Sequence, residues 1–580
     1  MKVLRWFGAS PTRETVAVAV VALAVLVVGS GWTPVVGRDE ARFAQAAREM
    51  LDHGEWVVPT FAGVDRYDKP ILIYWCAAAS YAVFGVSEQA ARLPANLAGA
   101  LVILLLARSA RRRWGAGAGA LAGLLLLATP VFHVQARACT ADMVMMLPTL
   151  AAALALEKLW VGDGSRRHAL VLWLGLGAAV LAKGPVGPGV LLATVVGVWA
   201  LERSWPRWQL GMVALLVVLG WWKAGPAVLL AAGSWATVET LRTPEGRRRL
   251  RRLEWRWGVP LLLALVLPWA IAAWIQTDGE FLRVAVGRHV VARSLVAFEG
   301  HAGFPGFYLL TGLVGAAPWF ALLIPAIQWR GGDQRSRSSA RFHTAWLLAP
   351  LLMFEVVATK LSHYWMPSYP AGVLLVVGWL LSGAQAGERV RAAARVLAMV
   401  GLAVLAVLPM IVVLRLELEG LAAPAVVVAA PLLAALPVVA SGRFPSRRRA
   451  TAAAAATLVF MALLVGLFAP GLGRFLLGPR AARAALEQRR PGEAVVVHKS
   501  RDDELFFYLP LATAASRSRA DLVQRLTASG RFLAIAREEE AARVRAECPQ
   551  AAFEIASRID GVDLAKGRWA CVVLLRPARR

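Results

Sequence analysis

Apolar runs of about 16–23 residues recur along most of this chain, separated by short arginine-rich or turn-forming stretches. A helix rises about 1.5 Å per residue, so roughly 20 apolar residues cross a hydrocarbon core about 30 Å thick. Inside lipid the backbone must satisfy its own hydrogen bonds, which points to a bundle of membrane-spanning helices. The composition agrees: the 580 residues are 58% hydrophobic and only 17% charged, less charge than soluble chains carry. The first run, 14–33, leads into an acidic loop with no small-residue cleavage site, so it reads as a retained helix.

The net charge is +27. Nucleic-acid binding is one reading of such an excess. Here the arginines gather in short loops between apolar runs, which is the positive-inside pattern and argues against a nucleic-acid partner. Clusters at Lys2/Arg5/Arg13, Arg108/Arg111/Arg113, Arg166/Arg167, Arg203/Arg207, Arg242–Arg256, Arg330–Arg341, Arg389–Arg395 and Arg443–Arg449 therefore share the cytoplasmic side. Successive clusters must be joined by an even number of crossings. Three apolar stretches, 14–33, 71–85 and 93–107, lie between the first two clusters. The middle one reaches only about 22 Å, short of the hydrocarbon thickness. It is predicted to lie in the outer interface, which makes 34–92 one external loop.

The remaining spans follow as 14–33, 93–109, 115–134, 142–160, 168–183, 186–202, 257–275, 305–327, 342–359, 364–381, 396–414, 421–440 and 451–472. The predicted fold class is thus an all-α multi-pass membrane protein of about thirteen helices, with a small C-terminal soluble α/β domain. The membrane domain covers 1–473 and the soluble domain 474–580, with the N-terminus inside and the C-terminus outside. Segment 208–234 lies between two inside clusters and reads as a re-entrant hairpin. Strand-like runs at 494–497, 532–536 and 570–575 alternate with helical stretches at 480–489, 519–529 and 538–547. The four cysteines have no CxxC spacing; Cys548 and Cys571 share the soluble tail and could pair.

This topology gathers ionisable groups on one face: the 34–92 loop, Asp142, Lys183, the loop 276–304 and the turn around Lys360. Ionisable groups next to a bilayer are costly and read as functional by default. Carboxylates and cations held together there could deprotonate a hydroxyl and hold a phosphate. Phe43, Ala47, Met50 and Leu51 place the segment 39–51 on the membrane as an amphipathic helix. At its start Asp39 is either an N-cap or a catalyst, and Glu40 a first-turn acid favouring the dipole. Asp142 carries the same two readings. Lys69 can meet a lipid phosphate or snorkel. Arg288, His289, Arg293, Glu299 and His301 fall in the second large loop, and Lys360, His363 and Tyr364 share one turn.

The ordered motifs are Gly37-Arg38-Asp39-Glu40-Ala41-Arg42-Phe43-Ala44, Asp68-Lys69-Pro70, Phe84-Gly85 through Ala91-Arg92-Leu93-Pro94, and Ala141-Asp142-Met143. Ala182-Lys183-Gly184-Pro185, Pro268-Trp269, Arg288-His289 and Lys360-Leu361-Ser362-His363-Tyr364 follow. Over roughly residues 14–400 this set resembles the GT-C membrane glycosyltransferases, and is similar to the aminoarabinose transferases of lipid A and their protein O-mannosyltransferase relatives. The resemblance implies a polyprenyl-phosphate-linked sugar donor and a lipid A, glycan or protein acceptor, at the periplasmic face of a bacterial inner membrane. It implies that Asp39 activates the acceptor, with Glu40 beside it and Asp142 as a second acid. Lys69, Arg293 and Tyr364 would contact the donor phosphate, with Lys360 in the same group. A divalent metal ion would fall on Asp68 and His289. The competing reading is a transporter or flippase of lipid-linked sugars, which would be expected to show paired repeats and broken helices; no clear repeat is present.

Overall fold

Residues 10–202, 242–292, 303–317, 319–329, 331–441, 444–498, 502–528 and 531–578 are described by the computed structural model. The chain enters the bundle through α1 (Pro11–Val27) and leaves it into the amphipathic helix α2 (Arg38–His53). A two-residue strand pair, β1 (Thr60–Phe61) and β2 (Val64–Asp65), turns the loop back. The short helix α3 (Leu72–Phe84) follows, and α4 (Glu88–Trp114) returns through the bundle. Next come α5 (Ala118–Leu127), α6 (Pro130–Gln135), α7 (Ala141–Val161), α8 (Arg166–Lys183) and α9 (Val186–Glu202). The expected hairpin at 208–234 lies outside the described residues.

Beyond it stand α10 (Pro244–Arg252), α11 (Trp255–Gln276), α12 (Glu280–Val286), α13 (Phe307–Gly315), α14 (Leu323–Gln328), α15 (Gln334–Val356) and α16 (Tyr369–Ser382). The last helices of the membrane domain are α17 (Glu388–Leu416), α18 (Ala422–Ala440), α19 (Arg447–Leu463) and α20 (Ala469–Gly473). Each of the expected spans contains helix. Among the described residues six helical stretches are individually long and apolar enough to cross a membrane. Two expected spans are not straight. Run 115–134 breaks between α5 and α6, where Pro130 cannot donate to the preceding turn. Run 305–327 is bent by 118°.

Among the described residues, arginines of several clusters meet at one end of the bundle. Arg111, near the end of α4, pairs with Glu14 at the start of α1 at 2.9 Å. Arg113 pairs with buried Glu157 of α7, whose carboxylate lies 3.4 Å from His343 of α15. Arg335 binds Asp163, and Arg166 approaches Glu254 at 3.6 Å. The start of α1 and the end of α4 therefore lie on the same side, as the charge counting requires. Helix α3, at 13 residues, is about 20 Å long and too short to span on its own. Its Ile73, Tyr74, Ala77 and Tyr81 pack in one cluster with Ala41, Ala44 and Ala47 of α2 and with Ala141 and Ala182 at the other ends of α7 and α8.

The C-terminal domain adds α21 (Leu477–Gln488), β3 (Ala494–His498), α22 (Glu504–Tyr508), β4 (Ala514–Ser516) and α23 (Arg519–Thr527). It ends with β5 (Phe532–Arg537), α24 (Glu538–Glu547), β6 (Phe553–Asp563) and β7 (Arg568–Pro577). The five strands form one mixed sheet in the order β4-β3-β5-β7-β6. β3 runs parallel to both β4 and β5, whereas β7 is antiparallel to β5 and β6. The apolar runs predicted the three inner strands; the two edges, β4 and β6, were not anticipated. Cys548 and Cys571 are free.

Candidate active site

The loop after α1 turns sharply into α2 at Gly37, whose φ of 80° and ψ of 156° belong to glycine. Gly37, not Asp39, occupies the N-cap, and Thr140 does so for α7. The capping reading of Asp39 and Asp142 is thereby corrected. Both acids sit in the first helical turn, where carboxylates suit the helix dipole and remain available for other work.

Glu40 points inward and is fully engaged. Arg92 of α4 grips it as a fork, Nε donating to Oε1 at 2.8 Å and Nη2 to Oε2 at 2.9 Å. The Val36 and Cys139 amides donate to the same carboxylate at 2.9 and 3.0 Å. Arg92 is itself buried and also donates to the carbonyls of Ser30, Thr33 and Pro34. Arg137 does the same for the end of α1, donating to the Val25, Leu26 and Val28 carbonyls at 2.7–2.8 Å. Neither arginine was given a role in the sequence. Arg92 stood inside a quoted motif and Arg137 beside Asp142, which were the only signals.

Asp39 is different. It is exposed, and among the described residues it makes no hydrogen bond or ion pair. Its charge is felt by Arg66 and Tyr74. Arg66 donates to the Tyr74 hydroxyl at 3.0 Å, pairs with Asp68 at 2.9 Å and covers the Phe43 ring. Glu49, on the same helix as Asp39, holds the β1–β2 turn by accepting from Thr60 Oγ1 and the Ala62 amide. The loop that carries residues 66–69 is thus anchored to α2.

A second group forms at the facing ends of α7 and α8. Lys183 Nζ donates to Asp142 Oδ1 at 2.5 Å, and His363 Nε2 lies 3.5 Å from the same oxygen. Lys69 adds its charge to the field at Asp142. The Lys183 ammonium sits over the Tyr364 ring, 5.3 Å from its centroid. Lys183, Lys69 and the His363 imidazole therefore surround one carboxylate, a balance that favours an anion. Because Arg66, Asp68 and Lys69 are near neighbours in sequence, the Asp39 group and the Asp142 group adjoin.

Lys360 does not join them. It donates to the Phe354, Glu355 and Val357 carbonyls at the end of α15 and lies 3.4 Å from the Glu355 carboxylate. A buried ammonium capping a helix C-terminus has its donors occupied. Arg293 lies outside the described residues, and of His289 only the backbone is described, in the π-helical turn Gly287–Ala292. Of the two expected metal ligands, Asp68 and His289, only Asp68 has a described side chain. Asp68 is paired with Arg66, and among the described residues no three His, Cys, Asp or Glu side chains converge as metal ligands do. No step is therefore assigned to a metal.

Residues 68–222 match the family described as dolichyl-phosphate-mannose-protein mannosyltransferase. The chain is 28% identical over 363 residues to undecaprenyl phosphate-alpha-4-amino-4-deoxy-L-arabinose arabinosyl transferase 1 of Pseudomonas fluorescens, covering 62% of this chain and 57% of that protein. It is 29% identical over 380 residues to the corresponding Pseudomonas aeruginosa transferase, covering 65% of this chain and 60% of that one. The match thus spans under two thirds of these relatives' own length. The fold is that of ArnT from Cupriavidus metallidurans, solved bound to undecaprenyl phosphate, with a TM-score of 0.70, 23% identity, and 97% of this chain and 98% of that chain covered. The chain has the multi-pass helical membrane fold of that structure and is similar in sequence to the aminoarabinose transferases.

Proposed function

We propose that this protein transfers a sugar, in the manner of the aminoarabinose transferases it resembles, from a polyprenyl-phosphate donor to a lipid A-type acceptor. The observation that carries the reading is the exposed Asp39 carboxylate, which makes no hydrogen bond or ion pair among the described residues, next to a cationic group built from Lys69, Lys183 and His363. Such a donor is already activated, since its leaving group is a phosphate. Asp39 takes the proton of the acceptor hydroxyl as that oxygen attacks the anomeric carbon. The bond from the anomeric carbon to the phosphate oxygen breaks, and the electron pair leaves with the polyprenyl phosphate. Lys69 and Lys183 neutralise the departing phosphate, and Tyr364 lines its place. Asp142 orients Lys183 through their ion pair, and Glu40 braces the helix that presents Asp39.

Purified protein in lipid nanodiscs, given radiolabelled sugar on undecaprenyl phosphate and purified lipid A, is expected to label the lipid A. Intact donor after prolonged incubation with lipid A would overturn the reading. Labelled product that requires a peptide or another glycan would redirect the acceptor assignment alone. The orientation belongs to the same proposal: the arginine-rich end faces the cytoplasm, and Asp39 and the C-terminal domain face outward. Alkaline phosphatase fused after residue 580 is expected to be active in cells, and a green fluorescent protein at the same position dark. The reverse pattern would refute that orientation.

A further inference from the structure

The segment that enters α2 is held from outside the membrane domain. Three successive amides, those of Val35, Val36 and Gly37, each donate to a side chain. Val36 uses Glu40, in its own helix, at 2.9 Å. The other two use α22 of the C-terminal domain. The Val35 amide donates to the Tyr508 hydroxyl at 2.7 Å, and the Gly37 amide to Glu504 Oε1 at 2.8 Å. Tyr508 in turn donates to Glu88 at the start of α4 at 3.0 Å.

The rest of α2 is tied to the same short helix. Arg42 donates to Asp503 at 2.6 Å, with Arg38 at 3.5 Å from the same oxygen. Arg48 donates to the Phe507 and Leu509 carbonyls at 3.1 Å. Phe61 in β1 meets Phe506 edge-on, their centroids 5.3 Å apart. Asp39 thus sits between Gly37, bonded to α22, and Arg42, bonded to its N-cap Asp503, on a backbone two of whose three entry amides are satisfied by α22.

We propose that α22 is a positioning element for the transfer reaction, with Glu504 and Tyr508 acting through the Val35 and Gly37 amides to set the direction in which Asp39 leaves α2. The proposal rests on the assignment of Asp39 as the base. Both side chains are engaged with backbone amides and act on Asp39 through them. What matters is an oxygen at each place that accepts an amide hydrogen. Loss of that oxygen frees two backbone donors and lets the first turn of α2 rotate. Displacement of a base by even about 1 Å can cost on the order of 100-fold in rate.

Glu504 also responds to pH. Burial, with Asp502 and Asp503 beside it, pushes its carboxyl up to about 7 from an ordinary 4.5. The charged groups lining the same cleft are Arg38 from α2, Asp502 next to Glu504 and Asp563 at the end of β6, while α21 contributes the uncharged Leu477, Gly478 and Pro479. The pKa is raised in the folded state, so Glu504 contributes stability below about 4.5 that is lost as the pH rises through about 7. The protonated acid still accepts the Gly37 amide hydrogen through its carbonyl oxygen, and glutamine reproduces that form.

The test uses full-length protein with Glu504→Ala, Glu504→Gln and Tyr508→Phe, and Glu547→Gln on the far helix α24 as a control. Glu504→Ala is expected to lower kcat by about 10- to 100-fold with the KM for the lipid-linked donor unchanged. Glu504→Gln is expected to stay within about twofold of the parent, since it keeps the acceptor oxygen. Its melting temperature is also expected to lose the decline that the parent shows between about pH 4.5 and 7. Amide exchange at Val35 and Gly37 is expected to accelerate in Tyr508→Phe and Glu504→Ala respectively, and not in the control.

Equal loss of kcat in the alanine and glutamine variants would overturn the proposal, because it would assign the effect to charge. A rise in KM alone would overturn it in favour of donor binding. If the parent protein transfers no sugar, the exchange measurement still decides whether α22 orders residues 35–37, so failure of the functional reading and failure of this one are distinct.

Discussion

Asp39→Asn is expected to abolish most transfer, lowering kcat by about 100- to 10,000-fold with little change in folding or donor affinity. Asparagine has the same shape and can still face the acceptor, but it cannot take a proton. Because Asp39 makes no hydrogen bond or ion pair among the described residues, its replacement disturbs no packing and unpairs no buried charge. Asp142→Asn differs on that point, since it would release Lys183. The measurement is single-turnover transfer from labelled lipid-linked sugar, with donor binding followed separately. Undiminished turnover in Asp39→Asn would remove this residue from the proton-transfer step. A selective loss of donor binding would instead place it among the phosphate contacts.

Arg92→Ala is expected to be the most destabilising single change around the site, costing about 3–5 kcal/mol. Its guanidinium serves both oxygens of Glu40 and the carbonyls of Ser30, Thr33 and Pro34 at once. Truncation leaves a buried carboxylate without its counter-ion and several carbonyls without donors. Arg92→Lys is expected to recover only part of the loss, since a point charge cannot reproduce a planar fork. Thermal unfolding in detergent, monitored by tryptophan fluorescence, reads the difference. A melting temperature for Arg92→Ala equal to that of the parent would show that the pair is not a structural support.

The membrane fold was legible because its signal is redundant: every span is announced by an apolar run, and every turn on one side by arginine. Parity together with the short reach of 71–85 keeps that stretch from crossing in the sequence reading, and Leu72–Phe84 is a short helix packed beside α2. What escaped were breaks inside apolar runs. The α5–α6 break and the 118° bend leave hydrophobicity unchanged, so counting apolar residues cannot register them. The C-terminal sheet shows a related pattern. Its inner strands β3, β5 and β7 carry apolar runs. Edge strand β4 is three residues long, and β6 carries exposed Glu554, Arg558 and Asp560 among half-buried and buried residues. Edge strands are commonly short or charged, which hides them from a hydrophobic reading.

At the site, residue type was informative and partnership was not. Asp39, Lys69, Asp142 and Tyr364 fall into two adjoining groups, yet nothing local distinguishes exposed Asp39 from Glu40, its neighbour locked onto Arg92. The difference comes from helix geometry, because consecutive residues on α2 point in directions about 100° apart. Lys360 shows the reverse case. Its place near Tyr364 in the sequence suggested a shared task, but the turn bends its ammonium back onto the end of α15. Arg137, Glu504 and Tyr508 were invisible for a simpler reason: their partners are remote in the chain.

That remoteness has a consequence for synthesis. The bond between the Val35 amide and Tyr508 joins residues 473 positions apart. At about 5–20 residues per second, the ribosome needs roughly 25–95 s to go from one to the other. For that interval a nascent chain carries Asp39 on a helix that α22 does not yet hold. On the role proposed for α22, the clasp on residues 35–37 closes only once Tyr508 has been made, and chains truncated before it would carry α2 without that contact.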